Sequence, residues 1–377
     1  MTTLPGLYIH VPFCIRKCAY CAFYSVTDLT LIPDFLAALR REMGLNKDVH
    51  REFDTVYIGG GTPSVLTASD LERLIGDIRT TFAITRDAEI TIEANPGDIT
   101  AELLATLRSA GANRLNIGCQ SFDDDTLAFL GRRHRAWESV KAIRMARGAG
   151  FDNLGIDLIY GLPCPPGEAS AIWLATLRTT LSFHPEHLSC YQLTVEADTP
   201  LADLCGKKEI ALPDDDLQAQ YFFRTSEILE EAGYRQYEVS NFALGDHFRS
   251  RHNSKYWNHT PYIGLGPAAH SFTGRQRRWN HRSIAAYLKD LGAGKPPVAD
   301  SEFLNDEQLR LEALFLGFRT RRGIHLENFK RRHNQDLLAE KWEILSKLMK
   351  DNRVEIRDGY LMPTRAGMAV ADSLALI

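Results

Sequence analysis

Leu7-Tyr8-Ile9-His10-Val11-Pro12-Phe13-Cys14-Ile15-Arg16-Lys17-Cys18-Ala19-Tyr20-Cys21 is the stretch that decides how this chain folds. Leu7 to Val11 has the branched and aromatic content of a strand, and Pro12 closes it. Directly beyond stand Cys14, Cys18 and Cys21, at Cys-x3-Cys-x2-Cys spacing. Three thiolates this close can wrap one face of an iron–sulfur cube. A [4Fe–4S] cluster normally takes four cysteines, so a triad leaves one iron open, and an open metal site is where chemistry can happen. Structural zinc fits less well. It wants four ligands in paired motifs, and only one Cys-x2-Cys pair is present, with no histidine at finger spacing. A disulfide would account for two of the three at most.

Outward from that stretch, apolar strand-like runs alternate with helix-period segments. The strands are read at 7–11, 54–58, 89–93, 115–118, 154–159 and 188–193. The helices are read near 33–47, 68–82, 100–110, 137–149 and 169–182. Consecutive strand–helix steps imply a parallel sheet with helices outside it, and near-continuous apolar strands predict a sheet covered on both faces. In such sheets the active site lies beyond the C-terminal strand ends. Cys14, Gly59 to Thr62, Glu93, Gln120 and Asp157 are each read at or just after a strand end, so they should converge on one mouth.

After about residue 205 the pattern changes. A helix near 214–232 leads to Tyr237–Phe242, then to a loop rich in His, Arg, Asn and aromatics. Gly292-Ala293-Gly294-Lys295-Pro296-Pro297 reads as a linker. Helices at 305–318, 325–332 and 335–350 then precede an Asp358-Gly359 hairpin, the outline of a small winged-helix-like module. The division is therefore 1–205 for the core, 206–295 for an extension and 296–377 for a C-terminal module.

The chain has 377 residues, 44% hydrophobic and 24% charged, with a net charge of −4, enough for a large buried core. Its basic residues are spread along the sequence, which argues against nucleic acid as the main partner. Seven cysteines, sparse and odd in number, suit a reducing compartment. Met1 to Gly6 has no basic and apolar leader pattern, and no apolar run reaches a membrane span. The expectation is a cytoplasmic protein that is not an integral membrane protein.

Gly59-Gly60-Gly61-Thr62-Pro63 follows the second strand. Glycines there let ligand atoms approach backbone N–H and C=O groups. No Lys-Ser/Thr follows, so it is not a phosphate loop, and the dinucleotide spacing is absent. Alone, the run reads equally well as a tight turn.

Together, the cysteine triad and the glycine run resemble the radical S-adenosylmethionine (radical SAM) superfamily. The resemblance is tighter to the branch containing oxygen-independent coproporphyrinogen III dehydrogenase and the heme chaperone HemW family, and it covers nearly the whole chain. Besides Tyr8–Cys14 and Gly59–Ser64, it rests on Ile92–Pro96, Asn113–Gly118, Gln120-Ser121-Phe122, Leu130–His134 and Asp157–Pro163. It implies an α/β fold with a partial (β/α)6 TIM-like barrel. It also implies a [4Fe–4S] cluster on Cys14, Cys18 and Cys21, whose open iron chelates the methionine end of SAM. Reduction of the cluster then cleaves SAM to a 5′-deoxyadenosyl radical. Tyr8 would pack beside cluster and SAM, and Gly60, Gly61 and Thr62 would hold the methionine end. Glu93, Gln120, Arg132 and Asp157 would contact the rest, Arg132 meeting the carboxylate.

Two departures separate the relatives. The dehydrogenase pattern has a further cysteine two residues after the third, where this chain has Phe23. The dehydrogenase also carries an extension ahead of its first strand, where this chain has six residues before Leu7. Arg251-His252-Asn253-Ser254-Lys255-Tyr256-Trp257 matches an HNxxYW-type element through which the HemW family is thought to bind heme. A neutral imidazole at His252 can ligate iron, Tyr256 and Trp257 can stack on the macrocycle, and Arg249 and Arg251 can meet propionates. Further ligand candidates are Cys119, Cys164, Cys190, Cys205, His259, His270 and His281. The resemblance implies a heme chaperone delivering to an acceptor hemoprotein or respiratory-chain component. The alternative is oxidative decarboxylation of coproporphyrinogen III, so whether the chain is an enzyme stays open, as does a homodimer.

Overall fold

The computed structural model describes residues 4–50, 52–163 and 168–377. The core strands are β1 (Gly6–Val11), β2 (Phe53–Gly60), β3 (Ile84–Ala94), β4 (Arg114–Gln120), β5 (Leu154–Tyr160) and β6 (His187–Gln192). Between them lie α1 (Ile32–Asn46), α2 (Ala68–Thr81), α3 (Ala101–Ala110), α4 (Asp124–Phe129), α5 (Ala136–Gly148) and α6 (Glu168–Leu181). The helices begin where side chains satisfy their first N–H groups. Thr67 accepts from Asp70 N and Thr100 from Leu103 N, and α3 ends at Gly111 with φ +96°.

All neighbouring pairs from β1 to β6 are parallel, in sequence order, as the βα alternation predicts. The sheet then grows at both edges. After α7 (Pro200–Gly206) and α8 (Asp215–Glu231), β7 (Arg235–Gln236) and β8 (Asn241–Ala243) extend it beyond β6. Beyond β1 it continues through β9 (Tyr262–Leu265), β10 (His270–Phe272), β11 (Gln276–Asn280) and β12 (Val298–Phe303). These last four strands are short and mostly antiparallel, too short for periodicity alone to mark them. The result is one open 12-stranded sheet, and the expected α/β class with a partial barrel holds.

The core strands are buried on both faces, as expected, but only one face is apolar; polar and apolar residues alternate. Leu7, Ile9, Val11, Val56, Ile58, Ile90, Ile92, Leu115, Ile117, Leu154, Ile156 and Leu188 are buried in the main hydrophobic core, packed with residues of the surrounding helices. Each fully buried side chain of this kind is worth about 1.5–3 kcal/mol. The opposite face carries Tyr8, His10, Thr55, Tyr57, Glu89, Thr91, Glu93, Arg114, Asn116, Asp157 and His187. The sheet curls around this polar face. Arg114 on β4 influences both Tyr57 on β2 and His187 on β6, strands that a flat sheet would hold about 9–10 Å away.

α9 (Arg251–Trp257) is a helix where composition suggested a loop. Ser250 caps it, accepting from Asn253 N, and Glu89 accepts from the backbone N–H groups of Arg251 and His252 at 3.0 and 2.9 Å. α10 (Ile284–Gly292) packs on α1. The C-terminal helices α11 (Asp306–Phe318), α12 (Leu326–His333) and α13 (Leu337–Lys350) share a separate core with a three-stranded sheet of β13 (Ile324–His325), β15 (Tyr360–Pro363) and β14 (Val354–Arg357). This module joins the rest through backbone bonds Val239 N to Arg319 O and Arg321 N to Tyr237 O. Among the described residues no helix is long and apolar enough to cross a membrane.

Candidate functional site

The cysteine loop leaves the C-terminal end of β1 and is pinned at two points. Cys14 N donates to Val26 O at 3.0 Å and Val26 N to Pro12 O at 2.7 Å, closing the base. Ala19 N donates to Leu130 O at 3.2 Å, tying the tip to the turn before Arg132. Cys14, Cys18 and Cys21 are all partly exposed and face this mouth as free thiols. Cys14 Sγ lies 3.3 Å from Thr62 Oγ1, and Arg132 Nη1 lies 3.5 Å from Cys18 Sγ. The glycine loop, the cysteine loop and Arg132, far apart in sequence, therefore meet.

The glycines are required by packing. A Cβ on Gly61 would come within 2.7 Å of Phe13 O, and one on Gly59 within 2.8 Å of the Glu93 carboxylate. Gly60, at φ +108°, would drive a Cβ into the His10 ring. The loop's N–H groups, however, are spent within the protein. Gly60 N donates to Glu93 Oε2 at 3.2 Å, Gly61 N to Val11 O and Thr62 N to Phe13 O, both at 2.8 Å. The glycines make room for Phe13, Glu93 and His10, and the N–H groups of Gly60, Gly61 and Thr62 do not remain as ligand donors, contrary to that part of the sequence expectation.

Glu93 stands near the end of β3. Its Oε1 accepts from Tyr57 OH at 2.6 Å. Burial pushes its carboxyl up to about 7, with the nearby Asp157 adding to the effect. Asp157 lies in the middle of β5 rather than at its end, and its Oδ2 accepts from Asn116 Nδ2 at 2.6 Å. Burial raises its carboxyl as well. Gln120 closes β4 at φ +65°, beside a register shift after Ile117. Such a backbone is costly for a side-chain-bearing residue and marks a place where a bulge re-aims a side chain. Tyr8 OH bonds His10 Nδ1 at 3.0 Å, and His10 Nε2 bonds Tyr24 O at 2.8 Å. Burial lowers His10 to about 4, so it is neutral.

Four buried polar atoms here have no partner in the protein: Asp157 Oδ1, Gln120 Oε1, Asn95 Nδ2 and Arg132 Nε. Buried polar groups are normally satisfied. Two acceptors and two donors, beside three thiols, fit a ligand that carries both charges and hydroxyls, as SAM does. Arg132 is fixed by Asn95 Oδ1 at 2.8 Å and Gly118 O at 2.7 Å, which leaves Nε available for an anion.

Sequence reasoning assigned no role to Arg114. It is 1% exposed, and its Nε and Nη1 have no partner. It is the cation common to the surroundings of Glu93 and Asp157. An arginine opening a strand reads as a surface residue, so only its place in the shared Asn113–Gly118 segment hinted otherwise.

The structure sets His252 and Tyr256 apart from the cysteines, with the strand starts of the polar face. His252 is 1% exposed; its Nδ1 bonds Thr55 Oγ1 and its Nε2 bonds Tyr256 OH, each at 2.9 Å. Its ring packs 5.3 Å from Tyr57, and burial lowers its pKa to about 3. In this arrangement neither ring nitrogen is free for iron. Trp257 sits under the Arg319 guanidinium at 5.8 Å. Arg249 is paired with Asp246 and Arg251 with Asp54. Cys119 and Cys190 are buried, while His259 pairs with Glu312 and His281 with Asp290. Cys164 lies outside the described residues.

Comparison with known proteins places the chain in a family. Residues 8–168 match the radical SAM superfamily, and residues 304–370 match the HemN C-terminal domain. A solved coproporphyrinogen III oxidase (HemN) from Escherichia coli, described as a radical SAM enzyme, superposes with a TM-score of 0.83 over 99% of this chain and 90% of its own. At 23% identity it speaks for the fold alone. Among curated proteins, the heme chaperone HemW of Bacillus subtilis is 34% identical, over 89% of this chain and 88% of its own length. That of Mycobacterium tuberculosis is 35% identical over 98% and 93%. That of Escherichia coli is 40% identical over 72% and 71%. With this identity sustained over most of both chains, the chain belongs to the heme chaperone HemW family of the radical SAM superfamily.

Proposed function

We propose that this chain is a heme chaperone that binds heme and hands it to an acceptor hemoprotein or respiratory-chain component. The observation that carries the reading is the sustained likeness to proteins named heme chaperone HemW. Phe23 supports it: the position where the dehydrogenase pattern has a further cysteine holds an exposed phenylalanine here, 67% accessible. Titration of the purified protein with heme is expected to give saturable binding. A parallel anaerobic assay with SAM and a reductant is expected to leave coproporphyrinogen III unchanged. Robust conversion to protoporphyrinogen IX would overturn the reading.

Radical SAM membership implies a [4Fe–4S] cluster and SAM. Cys14, Cys18 and Cys21 would hold the cluster, with Thr62 and Arg132 beside the sulfurs. Tyr8, Gly60, Gly61, Glu93, Gln120, Arg132 and Asp157 would hold SAM. When bound, the cluster supplies one iron that is not held by cysteine, together with one-electron chemistry. The protein's own part is to orient SAM and to set the charge of its carboxylates.

Glu93 gives that charge a pH dependence. SAM brings a sulfonium and hydroxyl donors, and both favour ionised carboxylate. With the carboxyl near 7, SAM affinity is expected to rise by up to about tenfold between pH 6 and 8. The part due to this group should vanish in Glu93→Gln, measured by equilibrium dialysis on cluster-loaded protein. The same raised value makes ionisation costly to the fold. Its contribution to stability is fullest below the ordinary carboxylate range and is lost as pH climbs through about 7.

His252, Tyr256 and Trp257 enter the heme proposal with a condition. For His252 to ligate iron it must release Thr55 or Tyr256, and α9 must move off the strand starts. Heme binding through His252 is therefore expected to raise hydrogen exchange across 251–257, and His252→Ala should lower heme affinity by at least about tenfold. Unchanged heme affinity and spectrum, with a lower melting temperature, would make His252 a buried strut and place the ligand elsewhere.

A further inference from the structure

Beside the ends of β4 and β5, among α4, α6 and α8, lies a cavity of about 160 Å3. None of the residues assigned above to the cluster, SAM or heme lines it. Its walls are largely aromatic: Phe129, Tyr160, Trp173 and Tyr221. The Tyr160 ring stands 5.4 Å from Trp173 and 6.0 Å from Tyr221. Trp173 Nε1 donates to Thr225 Oγ1 at 2.8 Å, which fixes the indole and uses up its donor.

Two features distinguish this space from a plain packing void. Tyr221 is 4% exposed, yet its hydroxyl meets no partner. A hydroxyl buried without a hydrogen bond costs about 1–3 kcal/mol, which a polar atom of an occupant would recover. Among the described residues the lining also includes Asp123 and Asp125, but no lysine or arginine. Asp123 caps α4 through Thr126 N at 2.7 Å. Asp125 is exposed and makes no ion pair among the described residues.

Carboxylates and aromatic faces both attract a cation and repel an anion. The volume admits about one ring, since an engineered cavity of about 150 Å3 takes benzene. Heme, a far larger dianion, is excluded on both counts. We propose that this cavity binds a small organic cation with an apolar body, about the size of benzylammonium, which bonds the Tyr221 hydroxyl and faces Asp123 and Asp125. Occupancy would be felt at the cluster loop. Phe129 and Leu162 from the cavity wall pack in one apolar cluster with Leu130, Ile159 and Tyr20, and Tyr20 lies between Cys18 and Cys21.

Calorimetric titration of cluster-loaded protein with benzylammonium, benzyl alcohol and benzoate tests this. Benzylammonium is expected to bind one per chain, at least about tenfold more tightly than benzoate. Asp125→Asn, at an exposed position, should weaken it by about two- to fivefold. Ile172→Trp, filling the cavity from a half-buried position in its wall, should abolish it. Both variants should keep wild-type cluster content and heme binding, so failure here is distinct from failure of the chaperone reading. Equal affinity for benzoate and benzylammonium would overturn the proposal, as would binding of neither by protein with an intact cluster.

Discussion

Replacing Cys18 with alanine is expected to strip the protein of its iron–sulfur cluster. A cube held by two thiolates leaves two irons without protein ligands, and such a cluster is lost to solvent. Iron in anaerobically reconstituted protein should fall from about four per chain to well below one, with loss of the brown colour. The fold should survive. Cys18 is partly exposed, and Arg132, which contacts its sulfur at 3.5 Å, keeps Asn95 Oδ1 and Gly118 O. Far-ultraviolet circular dichroism should therefore match wild type. A full [4Fe–4S] complement in Cys18→Ala would show that the triad does not hold the cluster.

Arg114→Met is expected to be the most destabilising single change on the polar face. The side chain is 1% exposed, with Glu93 and Asp157 both buried nearby. Methionine fills similar volume, so the loss is of charge rather than packing. Removing one member of a buried charge set costs about 3–5 kcal/mol, because the remaining charges stay uncompensated. A fall of several degrees in melting temperature at pH 8 is the expected readout. The sign of its pH dependence follows from the carboxylates. With Glu93 near 7 in the presence of Arg114, loss of the cation raises it further. The deficit should then shrink towards pH 5, well below the value near 7 at which Glu93 protonates, and be largest at pH 8. Wild-type melting at pH 8 would mean that Arg114 is not the counter-charge of this face. SAM affinity, measured on the same protein, should fall with it, since loss of the cation favours the neutral form of Glu93.

Much of the core was legible from periodicity. The six core strands and five of the helices between them lie close to their expected places, because branched apolar runs and capping residues act over short distances, while the short α4 was not expected and β3 starts five residues early. α9 was hidden because Ser250 and Glu89 supply its N-terminal acceptors, and Glu89 is 162 residues away from Arg251. β9 to β12 were hidden because strands this short gain their ladder from a neighbour rather than from their own pattern. The mid-strand position of Asp157 and the spent N–H groups of the glycine loop depend on register, which no local signal reports.

The sequence by itself determined the chemistry that local spacing controls: three thiolates within one short loop, glycines where backbone must approach closely, and a strand–helix alternation that forces a parallel sheet. Only the tertiary structure decided which strand face is polar, that Arg114 is buried on the same face as Glu93 and Asp157, and that His252 is closed in by Thr55 and Tyr256. The physical reason is curvature. Side chains 50 to 200 residues apart become neighbours only when the sheet curls. Their charge, burial and freedom to bind are properties of that enclosure rather than of any residue alone.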